Sequence, residues 1–165
     1  MLYSDYIKSA ALRLGFDLCG IARCQNFEVN ERAYMRWLEK GYDSSLGYMR
    51  NYLDKRFDVR QLVEGAKTVF SFLISYNNSD TCANNGRIAS YAMGRDYHKV
   101  LKTKLYTLLE TIRTQYPDFE ARVFVDTAPI LERQWAVEAG LGWIGKNSCL
   151  VSKRFGNKVF IAELV

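Results

Sequence analysis

An α/β (α+β) fold, a mixed sheet flanked by helices, is the class the sequence predicts, and three observations carry it. The runs KTVFSFLISY and NKVFIAELV are dense in β-branched and aromatic residues and read as strands. The segments ERAYMRWLEK and DYHKVLKTKLYTLLETIRTQY repeat apolar residues at helical spacing. Helices and strands alternate early, but two strand runs in succession close the chain, which argues against a purely doubly wound sheet. At 165 residues and 48% hydrophobic, the chain is long enough to bury one core, and residues 1–165 read as a single domain.

The elements follow in order. Ser4 is placed to cap a helix over residues 4–14 that Gly15 stops. FDLCGIA reads as a buried strand. A helix starting at Asn30 or Glu31 carries Ala33, Tyr34, Trp37 and Leu38 on one face and ends at Gly41. Short helices over 48–55 and after Asp58 lead into KTVFSFLISY. The polar sequel NNSDTCANNG marks a surface loop, and RIASYA reads as a short strand. Residues 96–116 form a long helix, capped by Asp96, with Val100, Leu101, Leu105, Leu108, Leu109 and Ile112 as its apolar stripe. ARVFVD reads as a strand, PILERQWAVEA as a helix opened by Pro129, and SCLVSK with KVFIAELV as a closing hairpin around FGN.

Bulk properties narrow the setting. A net charge of +5 permits a phosphate-bearing partner without requiring one. No apolar run is long enough to span a bilayer, and the N-terminus lacks the pattern of a secretory signal. Cys19, Cys24, Cys82 and Cys149 have neither disulfide nor zinc-knuckle spacing, so reduced thiols in the cytoplasm are expected. The closing strand has no turn or polar tail after it, and the expectation is a piece of a longer protein.

Candidate chemistry gathers in residues 125–147. Gly140, Gly142 and Gly145 match G-x-G-x-x-G, yet they follow a helix and precede a strand, the reverse of a dinucleotide fingerprint. GLGWIGKN also approaches a phosphate loop, but Asn147 replaces the hydroxyl that would hold magnesium. Gly140 as a left-handed helix stop and the other two as tight-turn residues account for the glycines. They do not account for Trp143, Lys146 and Asn147 between them, an aromatic plate, an ammonium and an amide suited to a large polar ligand. Asp126 stands where a strand meets a helix, the edge at which α/β proteins bind ligands. Two readings stay open for it: an N-cap, or a proton donor whose pKa is raised by burial beside Phe124 and Trp135. His98, the one histidine, is either a first-turn residue paired with Asp96 or a ligand contact. Asp96-x-His98 begins the D-x-H-x-x-G pattern of histidine-on corrinoid proteins, but Leu101 occupies the glycine position.

YAMGRDYHKVL, VDTAPILER and AGLGWIGKN, in this order and spacing, resemble the N-terminal part of the epoxyqueuosine reductase family, and GYMRNYLDKRFDVRQLVEGAKTVF extends the likeness over most of the chain. The resemblance implies a nitroreductase-like, cobalamin-binding domain with the cofactor held base-off and no protein histidine on cobalt. It implies reduction of epoxyqueuosine to queuosine in the anticodon loop of tRNA, with two [4Fe–4S] clusters. Asp126 is implied as the general acid. Arg95, His98 and the loop Gly142, Trp143, Gly145, Lys146 and Asn147 are implied to contact the corrin, and Arg56 a propionamide or phosphate. The cluster-binding cysteine runs are absent from this sequence. This piece is therefore expected to bind cobalamin without turning over, the two clusters belonging to a C-terminal region it lacks. Two other readings stand beside this one: a non-catalytic corrinoid- or flavin-binding carrier domain, and a tRNA-binding face built from Lys102, Lys104, Arg113 and Arg122.

Overall fold

A computed structural model describes residues 3–77 and 88–165. The NNSDTCANNG loop beyond Asn77, with Cys82, lies outside the described residues. Helix α1 (Tyr3–Arg13) ends as the sequence predicts. Gly15 adopts φ +80, and Phe16 N–H reaches back to Ala11 O at 3.1 Å, closing the last turn. Strand β1 (Leu18–Arg23) is followed by α2 (Glu28–Glu39), the short α3 (Leu53–Phe57) and β2 (Thr68–Ser75). Helix α4 (Tyr97–Gln115) is capped by the Asp96 carboxylate on His98 N–H. Strand β3 (Val123–Phe124), α5 (Glu132–Glu138), β4 (Trp143–Ile144), β5 (Leu150–Val151) and β6 (Val159–Leu164) complete the chain.

The sheet runs β1-β2-β6-β3, and every pairing in it is antiparallel. The α/β class therefore holds, while the mixed sheet expected within it is antiparallel. β1 and β2 pair from Leu18↔Leu73 to Arg23↔Thr68, and β2 and β6 from Phe70↔Leu164 to Ser75↔Val159. Side chains alternate across this sheet. Phe70, Phe72, Ala162 and Leu164 face α1 and α4, where they meet Ile7, Leu101, Leu105, Leu108 and Ile112. The opposite face carries Val69, Leu73 and Ala22 against Trp135 and Ala136 of α5. Helix α5 lies very close to β1, because a Cβ on Gly20 would sit 2.2 Å from Ala139 O. That glycine is a packing requirement.

Four local expectations change. RIASYA forms no strand: Ser90–Ala92 is a 3-10 turn, and Ile88 and Tyr91 are exposed, so alternation there has no apolar face to bury. ARVFVD pairs over only two residues. Helix α5 opens at Glu132, three residues after Pro129. The closing hairpin does not form. β6 is taken along its length by the longer β2, and β5 pairs with β4 (Trp143↔Val151, Ile144↔Leu150). Gly142 permits that second pairing, since a Cβ there would lie 2.2 Å from Val151 O.

Candidate active site

β3 ends in a buried Phe124, a fully buried Val125 follows, and the chain then turns out at Asp126 with φ 52. A left-handed backbone is strained for a residue with a Cβ, though aspartate tolerates it better than most. Three contacts hold it there. Asp126 N–H donates to Glu132 Oε1 at 2.6 Å, Tyr97 O–H donates to Asp126 Oδ2 at 2.7 Å, and His98 Nε2 stands 3.4 Å from the same oxygen. The other ring nitrogen, His98 Nδ1, lies 3.0 Å from Asp96 Oδ1. The imidazole thus bridges two carboxylates, and its bond to Asp96 holds that carboxyl below the usual range.

Asp126 and Glu132 line a cavity of about 240 Å³, together with Tyr76, Tyr97, Arg133 and Phe160. A larger cavity of about 940 Å³ lies at the other end of the β2–β6 pair, near Thr68 and Leu164, away from these groups. The smaller one is where the titratable side chains gather. Its aromatic wall is stacked: Tyr76 on Phe160 at 4.6 Å, Phe160 on Tyr97 at 4.2 Å and 7°, and Tyr97 on His98 at 4.0 Å. Burial, and then the bond to Asp126, raises the Tyr97 phenol above its ordinary value, so its O–H remains a donor.

The structure places Asp126 at the rim. Its side chain is 58% exposed, so the burial beside Phe124 and Trp135 on which a raised pKa would depend is not found. Its carboxylate caps no helix: α5 has Leu131 at its N-cap with no side-chain bond. The buried acids are others. Glu132 is half-buried, and burial, reinforced by the Asp126 charge, pushes it up to about 7 against the bond from Asp126 N–H. Glu163 on β6 is 0% exposed, and neither carboxyl oxygen has a partner among the described residues. Burial first, then Glu132 and Asp126, raises it well above the carboxylate range.

The remaining marked residues divide into two sets. His98 joins Asp126 directly, and Arg95 is exposed just before the α4 cap. Trp143 is 52% exposed with Ile144 beside it, and Lys146 is exposed. Gly142 and Gly145 are explained by packing, for both abut Val151. Asn147 builds its own turn, its Oδ1 accepting from Cys149 N–H at 3.1 Å. Arg56 lies on α3 with its guanidinium over the Tyr34 ring at 5.4 Å, and it is not among the residues lining the cavity. Three of the four cations proposed for a tRNA face are bound to main-chain carbonyls: Lys104 to Leu14, Arg113 to Phe119 and Arg122 to Leu62. They are internal ties. Tyr97, Glu132 and Glu163 escaped the sequence reading. The usable signal was Glu163, a lone acid inside the apolar run VFIAELV.

The model of the family Epoxyqueuosine reductase QueG, DUF1730, matches residues 56–127. The epoxyqueuosine reductase of Cyclobacterium marinum is 46% identical over 99% of this chain and 54% of its own length. The solved epoxyqueuosine reductase of Streptococcus thermophilus superposes with a TM-score of 0.90 at 27% identity, covering 100% of this chain and 46% of that one. A second solved structure, an epoxyqueuosine reductase with an epoxyqueuosine-modified tRNA-Tyr stem loop, shares the fold at TM-score 0.87 and 24% identity, covering 98% of this chain and 44% of that one. This chain spans about half the length of the curated relatives it matches. Its likeness to epoxyqueuosine reductases extends over nearly the whole of this chain.

Proposed function

We propose that this chain forms the acid-bearing portion of an enzyme that reduces epoxyqueuosine to queuosine in tRNA, with Asp126 as the group that protonates the departing epoxide oxygen. The observation that carries this reading is the placement of Asp126. Its exposed carboxylate is held on an aromatic-walled cavity by Tyr97 and His98, in a strained backbone state that its own peptide N–H fixes through Glu132. Strain maintained by converging contacts is characteristic of groups positioned for chemistry. Exposure suits an acid that must reach a nucleoside presented from outside.

Cobalamin is tested against the residues present. The cavity of about 240 Å³ is too small for a corrin. Tyr91 lines it, and Met93, Trp143 and Ile144 are, like Tyr91, at least 40% exposed, with Arg95 and Lys146 exposed as well. Apolar plates edged by cations fit a broad amide-rimmed ring, and these six residues would hold it. When bound, cobalamin supplies the reducing equivalents for breaking the carbon–oxygen bond. The chain's own part is to orient the substrate, exclude water with the stacked aromatic wall, and deliver the proton from Asp126. The electron supply falls to iron–sulfur clusters outside this sequence, and on this reading the chain alone does not turn over. Cys19, Cys24 and Cys149 are free thiols, in keeping with a cytoplasmic setting; among the described residues no helix is long and apolar enough to cross a membrane.

The test is Asp126→Asn in the enzyme carrying its iron–sulfur portion. Turnover is expected to fall by about 10²–10⁴-fold, the range for a general acid, with cobalamin binding kept. Unchanged turnover would remove Asp126 from this role.

A further inference from the structure

Glu163 is the group that the chemistry above leaves unused. Alternation on β6 sends Ala162 and Leu164 toward α1 and α4, so Glu163 faces the α5 layer. Its cross-strand neighbours are Ser71 on β2 and Phe124 on β3. Ser71 Oγ is itself buried without a partner among the described residues. Two orphaned polar side chains thus stand opposite each other between apolar clusters, under the helix whose first turn carries Glu132. Burying an acid without a partner is costly, and packing alone would favour an apolar residue here.

We propose that Glu163 and Glu132 form an internal proton store for Asp126. The proposal rests on Asp126 being the acid of the site. Removal of an epoxide oxygen as water consumes two protons, with two electrons from the corrinoid and iron–sulfur donors, and one carboxyl supplies only one of those protons. Once substrate covers the rim, solvent is cut off and the second proton must come from within. The O–H bond of Glu132 breaks as one forms on the Asp126 carboxylate, and the Glu163 O–H then restores Glu132. Each transfer exchanges one O–H bond for another, and no electron moves.

The surroundings support storage. The charged and titratable groups around Glu132 are Asp126 on its loop, Arg133 on α5, His98 and Tyr97 on α4, and Glu163 on β6. Those acting on Glu163 are Glu132 and Asp126, both acidic. Burial dominates for both glutamates and favours the protonated form.

A carboxyl-labelled glutamate NMR titration of this chain tests the store directly. Glu132 should reach its midpoint near pH 7, and the Glu163 midpoint should lie well above the ordinary carboxylate range. Glu132→Gln removes one like charge and should lower the Glu163 midpoint. Either glutamate ionising in the ordinary carboxylate range of the parent chain, or a Glu163 midpoint indifferent to Glu132→Gln, overturns the store. In the enzyme with its clusters, Glu163→Gln should shift the alkaline limb of the pH–rate profile to lower pH, whereas Asp126→Asn lowers the rate at every pH. An unshifted profile in Glu163→Gln, with Asp126→Asn inactive, discards the store and keeps the acid. Full activity in Asp126→Asn discards the acid whatever the titration shows.

Discussion

Asp43 and Glu163 are both acids sealed from solvent, at 3% and 0% exposure, yet their surroundings are opposite. Asp43, in the turn after α2, receives both arms of Arg50: Nε at 2.6 Å and Nη2 at 2.8 Å, and Nη2 also reaches Leu38 O at 3.1 Å. Its charge is balanced, and its two oxygens tie the loop to the helix end. Glu163 has no cation and no donor among the described residues. The first acid is a staple that works while ionised. The second is tolerable only while neutral, which makes it a place to keep a proton.

Stability against pH should report the unpartnered buried acids most strongly. Below pH 4.5, Glu132 is protonated in both folded and unfolded chains and contributes no pH dependence. As pH rises from there to about 7, the unfolded chain gives up a proton that the folded one retains, so folded stability falls. Glu132 alone accounts for about 3 kcal/mol across that window, and Glu163 adds a contribution of the same sign. Urea denaturation on either side of the window measures it, and the double Gln variant at Glu132 and Glu163 should flatten the dependence. A parent chain more stable on the alkaline side would contradict the assignment.

Next in size is Arg50→Ala, which leaves Asp43 buried and uncompensated. It should cost about 3 kcal/mol, the low end for breaking a buried pair because Arg50 itself is half-exposed. Equilibrium unfolding would show this as a lower midpoint with unchanged slope. Smallest is Tyr97→Phe. It removes one hydrogen bond to Asp126 while keeping the Phe160 stack, for about 1 kcal/mol of stability. Its larger signature should be in turnover, through a less ordered Asp126.

Much of this architecture can be read from residue order, because it rests on local rules. The α4 stripe, the Asp96 cap and the Gly15 stop are decided by spacing and by single side chains, and all three appear as expected. Strand partnership is another matter. β5 and β6 are close in sequence but belong to different sheets, since the choice depends on which edge Gly142 and β2 leave available. The site divides along the same line. Asp126 and His98 stand out by type and position, and the structure brings them together. Glu132 and Glu163 acquire their character from burial, which arises only when α5 is laid over β6. The same dependence explains why Asp126 turned out exposed while its neighbours are enclosed.

The contact between Gly20 and Ala139 bears on the order of assembly. α5 has only seven residues, too few to persist as an isolated helix, and its footing on β1 joins positions more than a hundred residues apart. Such long-range closure is slow. The Asp126 loop is anchored to that helix, so the reactive corner cannot be in place before the first and last thirds of the chain have met. A nascent or partly unfolded polypeptide therefore lacks the corner formed by Asp126, Tyr97 and Glu132, which is assembled together with the final topology.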